Sequence, residues 1–534
     1  LAVAEVWSFA PLRLVEMTAP GAMGHPLRGF AGKPYVGDPT MGGETLTFSV
    51  YLGATVLALA LLALGRGRSL AWFLGGVTIV ALIIAMGRYL PVHRFTRWLA
   101  PPLMFMRYPE KYLVIVAAAV PLLAGLGVDR LLADARRLWR RWFVFAGALL
   151  AMAILVVIFP QPLRPLVRPA SLYATAAVTL LILLVTARKL LRRQLGLAVL
   201  VALVTLDLAF PVFDLIDFVD ADLATRVPPA ATHVLAQRAS PVAPPRIYRY
   251  PTVATPVADL TPARDAAQDE SRNLLTLVPN AANVHGLASL PGYDAAIPST
   301  WERLFEAGMT LDPVGLFRLT STEFVIGATV GPHSVRRLRG LSATGLDPLP
   351  GARLFAVEQT LPRVFAVGRT EVHEAHIDEP SAANPARKYA RFARLFSPEV
   401  LAGQVALVAP GDGEARLPGP AGRAGICTLG HYRADHVSAR CRLQEPAMVV
   451  FVEQHDSRGW SATINGVAAP LFLVNHVMRG VRAPAGDHQI ELAYEPPGRT
   501  ASALVSIFAL LALLAMVAVR VRPAAAAATS GSNP

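Results

Sequence analysis

The distribution of apolar residues constrains this chain more than any single motif. Six apolar runs come first: Leu46–Leu64, Ser69–Met86, Tyr112–Val128, Trp142–Pro160, Ala170–Ala187 and Gln194–Phe213. A long polar block from Asp214 to Arg499 follows, and Ala501–Val519 is apolar again. Each run is close to the ~20 residues that a helix needs to cross a ~30 Å hydrocarbon core. Backbone groups in lipid must be satisfied within the segment, so helices are the expected form. Hydrophobic residues make up 54% of the chain and charged residues only 16%, which argues against seven ordinary core helices of a soluble fold. The expected architecture is a polytopic α-helical membrane protein of about seven spans, with a large exterior α/β portion ending in a β-sandwich-like domain.

The formal net charge of +13 does not indicate nucleic acid, because the basic residues fall in alternate short loops. Arg66 and Arg68 join the first two runs, Arg130, Arg136, Arg137, Arg140 and Arg141 follow the third, and Arg188, Lys189, Arg192 and Arg193 follow the fifth. Arg520 and Arg522 follow the last. Placing all of these in the cytoplasm satisfies the positive-inside rule with one assignment. The organisation expected is an exterior loop over 1–45, a six-span region over 46–213 and an exterior mixed α/β region over 214–445. A β-rich sandwich-like region over 446–499, a final transmembrane helix over 500–521 and a disordered cytoplasmic tail over 522–534 complete it. Leu1 is neither an initiator Met nor part of a signal pattern, and an exterior amino end implies an earlier span upstream. A fragment of a longer bacterial inner-membrane protein is expected.

Within the exterior block, Leu319–Ile326, Arg353–Val357 and Arg363–Val367 read as strands bounded by Gly and Pro. Met448–Glu453, Trp460–Ile464, Pro470–Val474, Val477–Arg482 and Gln489–Tyr494 are short, closely spaced strands. Asn465-Gly466 and Pro484-Ala485-Gly486-Asp487 supply turn chemistry between them. The two cysteines, Cys427 and Cys441, lie in a compartment that permits a disulfide, but spacing leaves a bridge and two buried thiols equally open. No CxxC or HxxxH spacing marks a metal site, and the sequence names no cofactor.

The series Asp456-Ser457-Arg458-Gly459-Trp460, Ile464-Asn465-Gly466-Val467, Asn475-His476-Val477-Met478-Arg479-Gly480-Val481, Ala483-Pro484-Ala485-Gly486-Asp487-His488 and Leu492-Ala493-Tyr494-Glu495-Pro496 leads straight into the final apolar run. It resembles the carboxyl-terminal region of the YfhO family of bacterial membrane proteins. Tyr51-Leu52-Gly53, Arg107-Tyr108-Pro109-Glu110-Lys111-Tyr112, Asn280 through Tyr293-Asp294, and Leu361-Pro362-Arg363-Val364-Phe365 fall upstream in matching order. The resemblance implies kinship with multi-span glycosyltransferases that use polyprenyl-phosphate sugars. It also implies a catalytic acidic residue in a first exterior loop, which this chain is expected to lack, so no catalytic residue is carried over.

Candidate site residues follow from a departure from the charge rule. The exterior loop between the second and third runs carries Arg88, His93, Arg94, Arg97, Arg107 and Lys111. Guanidinium groups bind phosphate oxygens in two-pronged fashion, so a lipid-linked phosphate would account for them, with Arg107 and Lys111 foremost. The alternative is that these residues snorkel to lipid headgroups or pair with carboxylates of the exterior domain. Glu110 pairs with one of these cations or serves the site. Asp207, the sole acidic residue within a run, either bonds a neighbouring helix or belongs to the site. Trp460 and Arg479 are expected in the packing of the carboxyl-terminal strands. The function expected is transfer of a sugar from a polyprenyl-phosphate donor to an envelope polymer acceptor at the outer membrane face, among membrane lipids. The alternative is a non-catalytic membrane scaffold whose exterior domain binds envelope polysaccharide or a partner protein. A lipid-linked sugar transporter is disfavoured because paired broken helices and internal symmetry are missing.

Overall fold

The computed structural model describes residues 6–18, 20, 46–47, 49–65, 69–90, 95, 108–133, 198, 200–202, 204–209, 221–222, 226–250, 271, 273–290, 297–329, 335, 338–348, 351–373, 389–456 and 458–527. They fall into two compact units, Leu1–Val219 and Asp220–Pro534.

The first unit is helical. Helices α1 (Ala54–Ala63), α2 (Ser69–Ala85) and α3 (Leu113–Ala133) share one core containing Leu59, Ala63, Ala85, Val116, Val120 and Leu123. A 3-10 turn over Pro11–Met17 closes onto the same core through Phe9 and Met17. The apolar run beginning at Leu46 is helical only from Ala54. Before that point Leu52 N donates to Met17 O at 3.2 Å, and Gly53 precedes the helix at φ 85°. A ten-residue helix rises ~15 Å, half of a hydrocarbon core.

The second unit opens with a mixed sheet. Strands β1 (Arg246–Tyr250), β2 (Ala288–Ser289), β3 (Thr322–Ala328), β4 (Leu341–Ala343) and β5 (Ala352–Val357) are ordered β2-β1-β3-β5-β4. β1 runs parallel to β2 and β3, while β5 is antiparallel to β3 and β4. Alternation splits its side chains between two cores. Ile247, Phe324, Ile326 and Leu354 face α4 (Pro229–Ala236), whereas Tyr248, Val325, Phe355 and Val357 meet α5 (Ser299–Leu311) and α6 (Pro313–Leu319). Asp312 caps α6, accepting from Gly315 N at 2.8 Å.

The remaining strands are β6 (Val364–Val372), β7 (Ala406–Val408), β8 (Pro418–Arg423), β9 (Gly425–Tyr432), β10 (His436–Leu443) and β11 (Ala447–Gln454). They continue as β12 (Trp460–Ile464), β13 (Val467–Ala469), β14 (Leu471–Val474), β15 (Met478–Ala483) and β16 (Gly486–Tyr494). Pairing runs β11-β15-β14-β7-β6, and β6 pairs back to β11, so these five strands close a barrel with β8 attached to β6. The antiparallel sheet β13-β12-β16-β10-β9 lies against the barrel wall. Along β11 the period of two is explicit. Met448, Val450 and Val452 belong to the core filling the barrel, while Ala447, Val449 and Phe451 belong to the core shared with the second sheet. Asn465-Gly466 turns β12 into β13 with φ 53° and 81°, the left-handed pair that a two-residue hairpin demands.

These findings correct the expected seven-span protein with a terminal sandwich. Among the described residues, two helices are long and apolar enough to cross a membrane, Pro109–Arg130 and Arg499–Met516. The second run forms a 17-residue helix and the sixth is helical over Leu200–Ala209. The fourth and fifth runs, Trp142–Pro160 and Ala170–Ala187, lie outside the described residues. Hydropathy counts apolar residues whether or not the backbone is helical, and that is how the first run passes for a span. The terminal region is a closed barrel with a sheet packed on it. Pro484 and Ala485 therefore carry the chain from the barrel strand β15 to β16 in the other sheet, and do not join a hairpin. The last helix, α7 (Arg499–Ala527), continues past residue 522.

Cys427 and Cys441 form a disulfide between directly paired positions of β9 and β10, which settles the alternative that sequence spacing left open. Chain-entropy arguments assign a bridge closing a loop of this size ~3 kcal/mol. Reduction, or a Cys427→Ser and Cys441→Ala double substitution, is expected to lower the melting temperature of the second unit by several degrees. An unchanged transition by circular dichroism would contradict a stabilising bridge.

Candidate functional site

The residues expected to bind a substrate phosphate do not assemble into one described site. Arg94, Arg97, Arg107 and His93 lie outside the described residues. Arg88 sits in the Gly87–Tyr89 turn, its backbone N–H donating to Ser8 Oγ at 3.0 Å. Gly87 has φ 47°, and a Cβ there would stand 2.7 Å from Pro109 Cγ, so this turn rests on the one carrying Glu110 and Lys111. Lys111 is exposed, with Nζ 4.8 Å from the centre of the Tyr108 ring.

Among the described residues, the ion-pair partner of Glu110 is Arg13 rather than Lys111. Glu110 is buried against Arg13, whose guanidinium also donates to Glu16 at 3.1 Å and to Thr47 O at 2.9 Å. Leu46 N donates to Glu110 Oε2 at 3.0 Å, and Thr47 Oγ1 donates to Oε1 at 2.5 Å. Both carboxylate oxygens are therefore occupied, and the role of Glu110 is to fasten the 3-10 turn and residues 46–47 onto α3. Asp207 has a comparable task. It accepts from the Tyr51 hydroxyl, and its Oδ2 accepts from Thr55 N at 3.1 Å, which satisfies an orphan donor in the first turn of α1. Of the two readings open for Asp207, bonding a neighbouring helix is the one observed.

A second cluster of largely buried charge among the described residues lies where the mixed sheet, the barrel and the second sheet converge in the Asp220–Pro534 unit. Glu453, near the end of β11, accepts from Arg363 Nη1 at 2.7 Å and from Arg246 Nη2 at 3.3 Å. The Tyr432 phenol also favours the ionised form of this carboxylate. Arg246 opens β1 and also donates to Thr320 O. Arg363 precedes β6 and donates to Pro244 O at 2.8 Å. Arg479 of β15 stacks 3.4 Å from the centre of the Trp460 ring and donates from Nε to Gln454 O at 2.8 Å. Trp460 is thus half-buried beneath a guanidinium, beside Tyr494, and partly packed against the shared core.

Titration follows from these contacts. Burial alone would raise Glu453, but Arg246 and Arg363, helped by Tyr432, hold it below the ordinary carboxylate value. Burial lowers Arg246, and the neighbouring Arg363 lowers it further against the pull of Glu453. Arg479 is lowered to about 10 by burial, with Glu453, Tyr432 and Asp456 opposing. Three guanidinium groups thus surround one buried carboxylate. Beside them is a cavity of about 170 Å³ whose lining includes Arg246, Ser289, Trp301, Thr320, Glu453 and Gln454. The sequence offers Arg363 as the start of a strand and as part of a resemblance, and Glu453 as a strand end. The available signal was a carboxylate closing the otherwise apolar run Met448–Val452, since such a charge needs a partner to be buried.

No protein-family model, curated protein or solved structure matches the chain.

Removing one partner of a buried ion pair costs ~3–5 kcal/mol. Glu110→Ala is expected to destabilise the first unit by that order in thermal unfolding. A catalytic Glu110 would instead show unchanged stability in Glu110→Gln, with only turnover lost.

Glu453 supplies a pH dependence. Its folded pKa lies below the ordinary 4.5, so its stabilisation is complete above 4.5 and is lost as pH falls through the depressed folded value. Glu453→Gln is expected to be less stable than the parent at pH 7, and the gap should narrow below pH 4.5. A gap independent of pH in acid denaturation would contradict an ionised Glu453.

Proposed function

We propose that this is a YfhO-like envelope protein whose Asp220–Pro534 unit acts as a recognition module, held at the outer face of the bacterial cell membrane and binding envelope polysaccharide or a partner protein there. The observation carrying this reading is α7. Its Arg499–Met516 segment is apolar, exposed along its length and long enough to cross a membrane, and it follows β16 after the short Glu495-Pro496-Pro497-Gly498 link. An exposed apolar helix of this length is costly in water and stable in lipid. Trp460 and Tyr494 flank the groove lined by Arg458, Glu495 and Arg499 at its start, an arrangement suited to the headgroup layer, where aromatic rings with polar edges concentrate.

A second reading, sugar transfer from a polyprenyl-phosphate donor, is favoured by exposed Lys111 within the motif resembling the family. On that reading Lys111→Ala weakens binding of a short-chain polyprenyl-phosphate sugar to the full chain in detergent. Unchanged affinity would remove Lys111 from the donor site.

The recognition reading is tested by alkaline extraction of membranes carrying residues 220–534 with and without residues 499–534. The longer form is expected to stay with the membrane and the shorter to be released folded. Release of both would overturn the anchor. Labelling of engineered surface cysteines from outside the cell then reports the side on which the unit stands.

A further inference from the structure

Among the described residues, the cluster around Glu453 does not balance its own charge. Arg246, Arg363 and Arg479 contribute three positive charges, while Glu453 is the carboxylate that Arg246 and Arg363 contact directly. Asp456 attracts Arg479 more weakly and is bonded to Arg458. The Arg246 and Arg363 side chains are only 11% and 5% exposed, so water screens them poorly. Arg246 and Arg363 repel each other in this poorly screened setting, and an added anion would offset that repulsion with an attraction of its own.

The space for such an anion is present. The cavity of about 170 Å³ opens between β2, α5 and the end of β11, with Arg246 and Glu453 both on its wall. Glu453 is held more closely by Arg363, at 2.7 Å, than by Arg246, at 3.3 Å, which leaves Arg246 the less neutralised of the two wall charges. At ~30 Å³ per water it holds about six waters, the scale of one sugar ring. Its other walls suit a sugar. Trp301 offers an aromatic face, Ser289, Gln454 and Glu453 offer hydrogen-bonding groups, and Leu290 and Met478 offer apolar contact.

We infer that this cavity binds a carboxylate-bearing sugar unit, a uronic acid residue, with its carboxylate directed at Arg246 and its ring against Trp301. The inference rests on the recognition reading and names its ligand class. A neutral hexose leaves the excess positive charge unanswered, and inorganic phosphate answers the charge without using the aromatic wall.

The test is calorimetry on the full chain in detergent, titrated with glucuronate, galacturonate, glucose and inorganic phosphate. A uronate is expected to bind at least tenfold more tightly than glucose and more tightly than phosphate. Arg246→Met, of similar length and uncharged, should remove that tenfold preference, and Trp301→Ala should weaken the uronate while leaving phosphate unchanged. Thermal unfolding of both variants without ligand controls for misfolding. If Arg246→Met does not fold, titrating the parent with the methyl ester of glucuronate gives the same readout, because affinity must fall at least tenfold when the carboxylate charge is removed and the ring is kept. Equal binding of uronate and glucose, or no uronate binding by the folded parent, overturns the inference. Tighter binding of phosphate than of uronate makes the cavity a plain anion site and overturns it too. Membrane extraction is a separate readout, so failure here leaves the anchor standing, and loss of the anchor leaves this cavity to be judged by binding.

Discussion

Strand β11 is buried on both faces, and the second unit is arranged around that constraint. Met448, Val450 and Val452 fill the barrel, and Ala447, Val449 and Phe451 carry the core shared with the β13-β12-β16-β10-β9 sheet. A strand with two apolar faces needs cover on both. Closing the barrel covers one face and stacking the second sheet covers the other. β11 also has hydrogen-bonded neighbours on both edges, β15 and β6, so its backbone groups are paired without solvent. Where β11 ends, the same confinement buries Glu453, and a buried carboxylate must recruit cations. Arg246 from the mixed sheet and Arg363 from the approach to β6 supply them, so the charge cluster follows from the packing of three sheets.

The first unit solves a similar problem with different parts. Its non-helical residues before Ala54 and the first turn of α1 bring backbone donors beside a helical core, where unpaired groups would be costly. Glu110 and Asp207 absorb those donors through Leu46 N and Thr55 N. Arg13 then balances Glu110, with Glu16 and Thr47 completing its hydrogen bonds. Acidic residues that look catalytic in an apolar setting are here the fasteners of irregular backbone. That role restricts the transferase reading to groups that remain accessible, of which Lys111 is a described example.

Several elements were legible in the sequence because their signals are local. Trp460–Ile464 reads as a strand from its composition and from the Asn465-Gly466 turn beside it, and the structure has β12 over the same residues. The third apolar run forms α3, since α-helical hydrogen bonds close within a few residues. The start of the first run differs from expectation because its described residues before Ala54 are not helical, held by Met17 and Glu110 from distant parts of the chain. Leu319, expected in a strand, ends α6 instead, where the Asp312 cap and Pro313 begin a helix that reaches it before β3 starts at Thr322.

The sequence by itself determined where apolar surface must be hidden, which short runs alternate, and that a long exposed apolar helix closes the second unit. Tertiary structure alone decided that β6 pairs back to β11 to close a barrel, that Cys427 faces Cys441, and that Arg246, Arg363 and Glu453 meet across separations of up to 207 residues. The physical reason is the range of each interaction. Hydropathy and turn propensity act within a few residues, whereas sheet closure and charge pairing depend on which distant surfaces come together once each apolar face has found its cover.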